Sequence, residues 1–139
     1  MRQFSFPRSQ HLKSTKDIKN LFSRGEVILS EKLFIKCHYL IESSIKFEIK
    51  IGFGVSKKAG NAVWRNRFKR LAKEVFRQNK DVFSSIEYVK IIIMVTPYKL
   101  NSTKNKRLEL KLIYDDIFSL LKLVAEKANN YENNIHSFD

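Results

Sequence analysis

The sequence predicts a sandwich of the α+β or α/β class, in which helices lie over one mixed β-sheet. Three segments repeat apolar residues at helical spacing, and between them lie segments whose apolar residues alternate or run without a break. Their order along the chain is helix, two or three strands, helix, strand, helix. With 139 residues, of which 43% are hydrophobic, the chain is long enough for one core that needs no disulfide.

A single domain is predicted over residues 1–139, because no repeat, Ser/Gly-rich linker or like-charge tail divides the chain. We expect an ordered core from about residue 11 to residue 128, with mobile ends at residues 1–10 and 129–139. The longest apolar run, residues 91–95, is far shorter than the ~20 residues that a membrane helix needs. We therefore expect a soluble, cytoplasmic protein that binds no membrane.

The first helix is predicted to begin at a cap, Ser14 or Thr15, and to end near Arg24, before Gly25. Its apolar side consists of Ile18, Leu21 and Phe22.

Two long strands are predicted next, at residues 33–41 and 45–55, and residues 27–29 can add a short edge strand. Alternation in the first long strand places on one face Leu33, Ile35 and Cys37, and on the other Phe34, Lys36 and His38. In the second, one face takes Ile45, Phe47, Ile49, Ile51, Phe53 and Val55. One face of the sheet is therefore predicted to be apolar, and the other mixed and partly solvated.

A helix of about 18 residues is predicted to follow its cap, Asn61, and to end near Asn79. A helical wheel gathers its apolar side chains into one stripe, formed by Trp64, Phe68, Leu71, Ala72 and Val75. Its cations flank this stripe or lie opposite it, and we call them the basic ridge: Arg65, Arg67, Lys69, Arg70, Lys73 and Arg77. The helix thus presents one apolar and one cationic side.

The rest of the chain predicts one strand and one helix. A strand is predicted at residues 88–95, buried on both faces because residues 91–95 form a continuous apolar run, and Thr96 and Pro97 end it. An amphipathic helix is predicted from about Ser102 to Ala128, and the residues after it are expected to fray.

The charge is large and uneven. There are 27 Lys and Arg against 14 Asp and Glu, which gives a net charge of +13. Residues 1–80 hold 19 basic and six acidic side chains, whereas residues 81–139 hold eight of each. An anionic partner is predicted, because a merely solvated helix face usually mixes both signs to form i,i+4 pairs.

The residues that commonly carry catalysis are scattered, so we predict no catalytic residue and no metal site in this chain. The three histidines are His11, His38 and His136, and none has Glu or Cys at metal-ligand spacing. The single cysteine, Cys37, points away from His38 on a strand and is expected in the core. Asp115 and Asp116 diverge by about 100° on a helix, and solvation of the helix explains both.

The residue types at the start of the basic ridge favour RNA as the anionic partner. Arg65 and Arg67 carry planar guanidinium groups suited to phosphate, and Asn66 between them can bond a base edge or a 2′-hydroxyl.

Aromatic rings on the mixed side of the sheet favour a single-stranded ligand. Phe22 and Phe34 offer rings for base stacking beside Lys36, an arrangement typical of single-strand binding. For Phe22, a core contact between helix and sheet is an equal alternative.

The run from Gly52 to Leu71, GFGVSKKAGNAVWRNRFKRL, closely resembles the protein subunit of bacterial ribonuclease P. It matches the strand, loop and RNR helix of that family almost position by position. The likeness continues in residues 11–25 and 89–97, and it covers about residues 11–125.

The resemblance implies an α+β fold with αβββαβα order, a four-stranded mixed sheet and a left-handed βαβ crossover, against the usual right-handed rule. It also implies that an RNA subunit is the catalyst, that this RNA holds most of the magnesium, and that the protein assists removal of the 5′ leader from precursor tRNA. The partners are then the ribonuclease P RNA and precursor tRNA, with no obligate protein partner.

The resemblance also nominates site residues. The residues that would bind the RNA subunit are Lys57, Lys58, Asn61, Arg65, Asn66, Arg67, Lys69 and Arg70. Those that would bind the leader, in a cleft between the first helix and the sheet, are Phe22, Phe34 and Lys36, with His38 as a further candidate. Many members carry an aromatic residue where this chain has Lys36, so phosphate attraction would replace stacking there and leader recognition would depend less on the base.

Three rival functions remain at this point. A ribosomal or general RNA-chaperone protein of the same fold would bind many RNAs without enhancing cleavage. A self-sufficient protein nuclease would need a base, nucleophile or metal cluster. A protein of the membrane surface would need Trp64, Phe68 and Leu71 exposed, whereas the sheet needs them for its core.

Overall fold

A computed structural model of the protein describes residues 5–136. The helices and strands are α1 (Thr15–Arg24), β1 (Glu26–Leu29), β2 (Ile35–Ser43), β3 (Glu48–Phe53), α2 (Ala62–Gln78), β4 (Val89–Pro97) and α3 (Leu110–His136). Short 3₁₀ turns occupy Arg8–Gln10, Lys57–Ala59 and Lys80–Phe83. No helix within the described range is both long and apolar enough to cross a membrane.

The four strands form one mixed sheet in the order β1-β2-β4-β3. β2 pairs antiparallel with β1 and β4, whereas β3 pairs parallel with β4. Because α2 connects the parallel pair, β3, α2 and β4 form a βαβ unit. The predicted α+β class, the αβββαβα order and the mixed sheet are confirmed, while the left-handedness of the crossover stays a prediction.

The two faces of the sheet have different roles. Alternate strand residues on one face form the main core with α2 and α3, among them Ile35, Cys37, Tyr39, Ile91, Ile93 and Val95. On the second face α1 covers part of the sheet, and its Leu21 is fully buried, as is Ile92 in the middle of β4. β4 is therefore buried on both faces at its centre, as predicted.

The predicted first helix is confirmed at both ends. Ser14 caps it by accepting a hydrogen bond from the Asp17 N–H. Gly25 follows it where the chain passes close to β2, and a Cβ there would come within 2.3 Å of the Leu21 carbonyl and 2.8 Å of the Tyr39 carbonyl. Only glycine allows this approach.

Both long strands begin later in the chain than predicted. β2 begins at Ile35 because Leu33 has a positive φ of 64°, which breaks the extended backbone. β3 begins at Glu48, and Ile45, predicted on the apolar face, lies outside the strand and is 90% exposed. The edge strand proposed at residues 27–29 is present as β1.

The last helix was predicted wrongly at both ends. It begins at Leu110 rather than near Ser102, because residues 101–109 lie across α2 instead of continuing a helix. The indole N–H of Trp64 donates to the Asn105 carbonyl at 2.9 Å, and Arg67 Nε donates to the Leu108 carbonyl. These bonds need carbonyls that a helix would use internally.

The same helix continues to His136, eight residues past the predicted end. The buried Glu132 carboxylate accepts the backbone N–H of Glu87 at 3.1 Å and of Tyr88 at 2.5 Å, which ties α3 to the start of β4. Residues 129–136, predicted to fray, are therefore helical, and residues 5–10 also make defined contacts. The ends predicted to be mobile lie in part, at residues 1–4 and 137–139, outside the described residues.

The prediction of two solvated aspartates is wrong for Asp116. Asp115 is exposed, but Asp116 is only 4% exposed and accepts a hydrogen bond from the buried Ser30 hydroxyl at 2.5 Å. The Ser30 oxygen in turn accepts from the Ile35 N–H at 3.0 Å. A buried carboxylate keeps such a partner because an unsatisfied one is costly, and this one fixes the β1–β2 turn on α3.

Candidate nucleic-acid interface

The basic ridge lies on α2, whose apolar stripe packs on the sheet. Trp64, Phe68, Ala72 and Val75 are buried as predicted, and Phe76 joins them. Along the outer side, Asn66, Arg70 and Lys73 are exposed, whereas Arg65, Arg67, Lys69 and Arg77 are half-buried. Packing of the stripe thus fixes the direction in which the cations point.

The two arginines of the RNR motif are held by the protein's own backbone. Arg65 Nε donates to the Gly60 carbonyl at 3.1 Å, and Arg67 Nε donates to the Leu108 carbonyl. Within residues 5–136 the terminal nitrogens of both guanidinium groups make no further hydrogen bond. One edge of each group is therefore fixed, and its remaining donors are available for a phosphate.

The loop before α2 carries two more cations. Lys57 and Lys58 are exposed on a 3₁₀ turn, which Ser56 begins by accepting the Lys58 N–H at 3.1 Å. Asn61 caps α2, as predicted, through a bond from the Trp64 N–H to its Oδ1 at 3.0 Å. Its side-chain oxygen therefore has a structural role, and a part for Asn61 in RNA binding stays a prediction.

Gly60 allows the loop before α2 to meet the loop after β4. A Cβ at residue 60 would lie 3.0 Å from the Ser102 Cβ and 3.1 Å from the Trp64 Cβ. Beside it, the Ser102 N–H donates to the Ala59 carbonyl at 2.7 Å. The two loops thereby hold Lys57 and Lys58 next to the start of the basic ridge.

A second candidate surface lies on the opposite face of the sheet, where α1 leaves part of the strands uncovered. We call it the cleft, and define it by Phe22, Lys36, His38, Thr96 and Tyr98. The strand register places Lys36 opposite Thr96 and His38 opposite Met94. The pairs Lys36–Thr96 and His38–Met94 therefore form two neighbouring rows across one face of the sheet.

Phe22 borders the cleft rather than joining the core. Its side chain is 54% exposed, and its ring packs edge-on against His38 with centroids 4.7 Å apart. The alternative of a buried core contact is therefore excluded for Phe22, and its ring is open to a ligand.

Lys36 is accompanied by a ring that sequence reasoning missed. Its Nζ lies 5.2 Å from the ring centroid of Tyr98, which is 44% exposed. The sequence contains a signal for this ring, because Tyr98 continues the alternation of Met94 and Thr96 beyond Pro97. Tyr98 was missed because the strand was predicted to end at Thr96 and Pro97.

Phe34, in contrast, does not extend the cleft in the way that alternation predicts. It precedes β2, is half-buried, and packs against the main core. Its backbone is also fixed, since its carbonyl accepts the Tyr98 N–H at 2.8 Å. A role for Phe34 in leader binding stays a prediction, whereas Phe22 and Lys36 lie on the surface expected for them.

Small and apolar residues complete the surroundings of the cleft. Gly54 lies beside Met94 and Thr96, where even an added Cβ would make only ordinary contacts, at 3.4 Å from Met94 Sδ and 3.6 Å from Thr96 Cγ2. In the edge strand, Val27 is 50% exposed and Leu29 is 43% exposed, and their register places them beside His38 and Lys36. The cleft is thus bordered by apolar side chains and carries one lysine, Lys36.

Two ionisable groups near the cleft are perturbed by burial. Cys37 is fully buried, as predicted for a core residue, and this burial raises the pKa of its thiol to about 12. Desolvation, followed by the nearby Lys36 charge, lowers the pKa of His38. Among the described residues there is no group of three or more His, Cys, Asp or Glu side chains that could hold a metal ion.

Comparisons with known proteins all lead to one family. The family described as Ribonuclease P matches residues 6–117. A ribonuclease P protein component of Streptococcus agalactiae is 36% identical over 84 residues, which are 60% of this chain and 73% of the relative. One from Alkaliphilus metalliredigens is 29% identical over 114 residues, covering 82% of this chain and 95% of the relative.

Solved structures give the same result. The ribonuclease P protein of Thermotoga maritima superposes with a TM-score of 0.62 at 25% identity, covering 81% of this chain and 94% of its own. That of Staphylococcus aureus superposes with a TM-score of 0.63 at 22% identity, covering 84% and 96%, and shows the shared fold.

Proposed function

The chain belongs to the ribonuclease P protein family, and from this premise we propose that it binds the catalytic RNA through α2 and the precursor-tRNA leader through the cleft. Because the chain is a protein component of ribonuclease P, its partner is the ribonuclease P RNA. The holoenzyme would act in the cytoplasm to remove the 5′ leader, and the bond-breaking centre would lie in the RNA.

One observation carries the proposal: two surfaces of different chemistry lie on opposite sides of a single four-stranded sheet. The basic ridge carries six cations on α2, a density suited to a folded RNA with its closely spaced phosphates. The cleft offers the rings of Phe22 and Tyr98 together with the ammonium group of Lys36. This combination suits single-stranded RNA, because its bases can stack on the rings and its phosphates are attracted by the cation. One protein can therefore bind a duplex-rich scaffold and a single strand at the same time.

On the RNA side, the proposed contacts begin in the loop and continue along α2. The residues assigned to this contact are Lys57, Lys58, Asn61, Arg65, Asn66, Arg67, Lys69 and Arg70. Because backbone carbonyls already orient Arg65 and Arg67, less side-chain entropy is lost when each guanidinium binds a phosphate. The RNR motif would thus determine the orientation of the protein on the RNA.

On the leader side, the proposal assigns Phe22, Lys36 and Tyr98 directly, with Phe34 as a weaker member. The resemblance described above expects an aromatic residue at the position of Lys36. Here Tyr98 lies under the Lys36 ammonium and supplies a ring from the neighbouring strand. We therefore expect that stacking is retained and that Lys36 adds attraction to a leader phosphate.

This arrangement would favour substrate over product. Mature tRNA has no leader, so the binding energy of the cleft is available only to the precursor, and the product dissociates more readily. The magnesium ions in this proposal are held mainly by the RNA. Cations of the basic ridge would lower phosphate repulsion and so let the RNA fold and retain magnesium at lower concentration.

Reconstitution tests the proposal. Cleavage of precursor tRNA is measured at low magnesium with the RNA subunit alone, with the protein alone, and with both. We expect slow cleavage by the RNA, none by the protein, and a large increase for the two together. If the protein binds many RNAs equally and leaves cleavage unchanged, it is a general RNA-binding protein of the same fold, and the proposal is wrong.

A further inference from the structure

A groove lies beside the basic ridge, between α2 and the N-terminal segment. Its volume is about 520 Å³, within the range of small-ligand sites. One wall is the ring of Phe6, and the rest comes from α2: Asn66, Lys69, Arg70, Lys73, Glu74 and Arg77. The interior is formed by this ring and by the aliphatic stems of long side chains, whose charged ends lie at the rim.

The ring of Phe6 is held in position by the core. It lies 4.1 Å from the His11 ring and meets Phe76 and Phe53 edge-on, with centroids 5.3 Å and 6.1 Å away. The backbone around it is fixed as well, since Lys80 Nζ donates to the Ser5 carbonyl at 2.8 Å. Phe6 therefore presents a fixed, half-buried ring to the groove.

The charge around the groove is strongly positive. Its single acid, Glu74, is bonded by Arg77 Nη2 at 2.6 Å, and this bond lowers the pKa of Glu74. Lys69, Arg70 and Lys73 make no ion pair or hydrogen bond within residues 5–136. Three cations thus remain unbalanced around an aromatic wall.

We propose that this groove binds an unpaired nucleotide of the RNA subunit, with its base stacked on Phe6 and its phosphate held by Lys69 and Lys73. Apolar walls with a cationic rim match a splayed-out nucleotide, which stacks on aromatic rings and exposes its hydrogen-bonding edge. The Asn66 amide, at one end of the groove, can bond that edge. The contact with RNA would then extend beyond the RNR motif to Phe6 and Lys73.

The RNA subunit is the source of this nucleotide because of where the groove lies. It continues the basic ridge on the same side of α2, whereas the cleft for the leader is on the opposite face of the sheet. The inference therefore rests on the proposed function, and it deepens the contact made by α2.

Three variants test the groove in the full-length protein, each by its affinity for the isolated RNA subunit and for precursor tRNA. Phe6→Ala removes stacking and no charge, so affinity for the RNA subunit should fall roughly 5- to 150-fold with an unchanged salt slope. Lys73→Ala removes one cation, so the slope of log affinity against log salt should fall by roughly 0.7 to 0.9. Phe6→Trp should retain most of the affinity.

Matched controls lie on α3. Phe118→Ala removes another half-buried ring that packs on the core, and Lys122→Ala removes another exposed lysine. Phe118→Ala should lower the melting temperature and leave RNA affinity unchanged. Chemical probing of the bound RNA should show one or two bases that become reactive with Phe6→Ala, while the rest of the footprint persists.

The outcomes separate this inference from the proposed function. If Phe6→Ala and Phe118→Ala weaken RNA binding equally, or if no base changes reactivity, the groove holds no nucleotide. If Phe6→Ala weakens only the binding of precursor tRNA, the nucleotide belongs to the substrate and the assignment is wrong. If substitutions at Arg65 and Arg67 also leave binding of the RNA subunit unchanged, the proposed function itself fails.

Discussion

The basic ridge and the cleft lie on opposite faces of one sheet, and they differ in how their side chains are held. In the ridge, Arg65 and Arg67 are bonded to backbone carbonyls of the flanking loops. In the cleft, Phe22 and Tyr98 are about half exposed, and their rings contact His38 and Lys36 respectively. A fixed cationic surface suits a folded, rigid RNA, whereas an open aromatic one suits a flexible strand of varying sequence.

The largest effect is expected from removing the fixed cations. The double substitution Arg65→Ala with Arg67→Ala should weaken binding of the RNA subunit roughly 10²- to 10⁴-fold, because charge-assisted hydrogen bonds contribute ~1.5–3 kcal/mol each. The slope of log affinity against log salt should fall by roughly 0.7 to 0.9 for each phosphate that the variant no longer neutralises. Filter binding over a series of salt concentrations measures both.

The double variant also loses two bonds to the backbone, so its folding needs a control. Arg70→Ala removes an exposed cation that has no partner within residues 5–136, and it should reduce affinity and slope without changing the melting temperature. An unchanged salt slope in both variants would remove the ridge from the RNA interface.

The ridge could be predicted from the sequence, because helical spacing and charge are local properties. The Asn61 cap, the buried stripe and the cations opposite it all follow from residues within four positions of one another. The fixing of Arg67 could not be predicted, since its partner, Leu108, is 41 positions away. The same long-range contact explains why α3 begins at Leu110 and not near Ser102, where the sequence predicted its start.

The cleft was only partly predictable, because it depends on register between strands. Phe22 and Lys36 are positioned as expected, but Tyr98 enters only through the pairing of β2 with β4. Phe34 was misplaced because one residue, Leu33, has a positive φ and ends the alternation on which the prediction depended. Asp116 shows the same limit, since its partner, Ser30, is 86 positions away.

The next largest effect is expected from the aromatic rings of the cleft. Phe22→Ala and Tyr98→Ala should each lower the affinity for leader-bearing precursor tRNA roughly 5- to 150-fold, because each removes a ring for base stacking. Neither substitution should change the affinity for mature tRNA. Binding of both ligands to the reconstituted holoenzyme measures the difference.

Phe34→Ala sharpens this comparison. Because Phe34 packs on the core, the substitution should lower the melting temperature more than it lowers leader affinity. If Phe22→Ala weakens precursor and mature tRNA equally, the cleft does not bind the leader. If Phe34→Ala costs as much leader affinity as Phe22→Ala at equal stability, Phe34 belongs to the leader site after all.

A smaller effect is expected from the single cation of the cleft. Lys36→Ala should lower precursor affinity roughly two- to fivefold, as for an exposed charge contact of ~0.5–1 kcal/mol. The salt slope for precursor should fall by roughly 0.7, the value for one phosphate of a single strand. Lys32→Ala, an exposed lysine in the turn before β2, is the matched control.

The identity of the leader base tests Lys36 further. If Lys36 acts only on phosphate, its substitution should weaken precursors with different leader bases by the same factor. A loss confined to one base would show that residue 36 reads the base, as an aromatic residue would.

The smallest effect concerns His38 and the charge that the cleft tolerates. Desolvation and the Lys36 charge lower the pKa of His38 in the folded protein, so the neutral ring is favoured. Between the folded and unfolded pKa values the unfolded chain binds more protons, and the free energy of unfolding must fall as pH falls below about 6.5. Relative to His38→Gln, the protein should therefore lose stability in urea unfolding as the pH falls through about 6.5. A difference that stays constant, or grows at low pH, would mean that the cleft accepts a second cation beside Lys36, and the chemical contrast with the basic ridge would disappear.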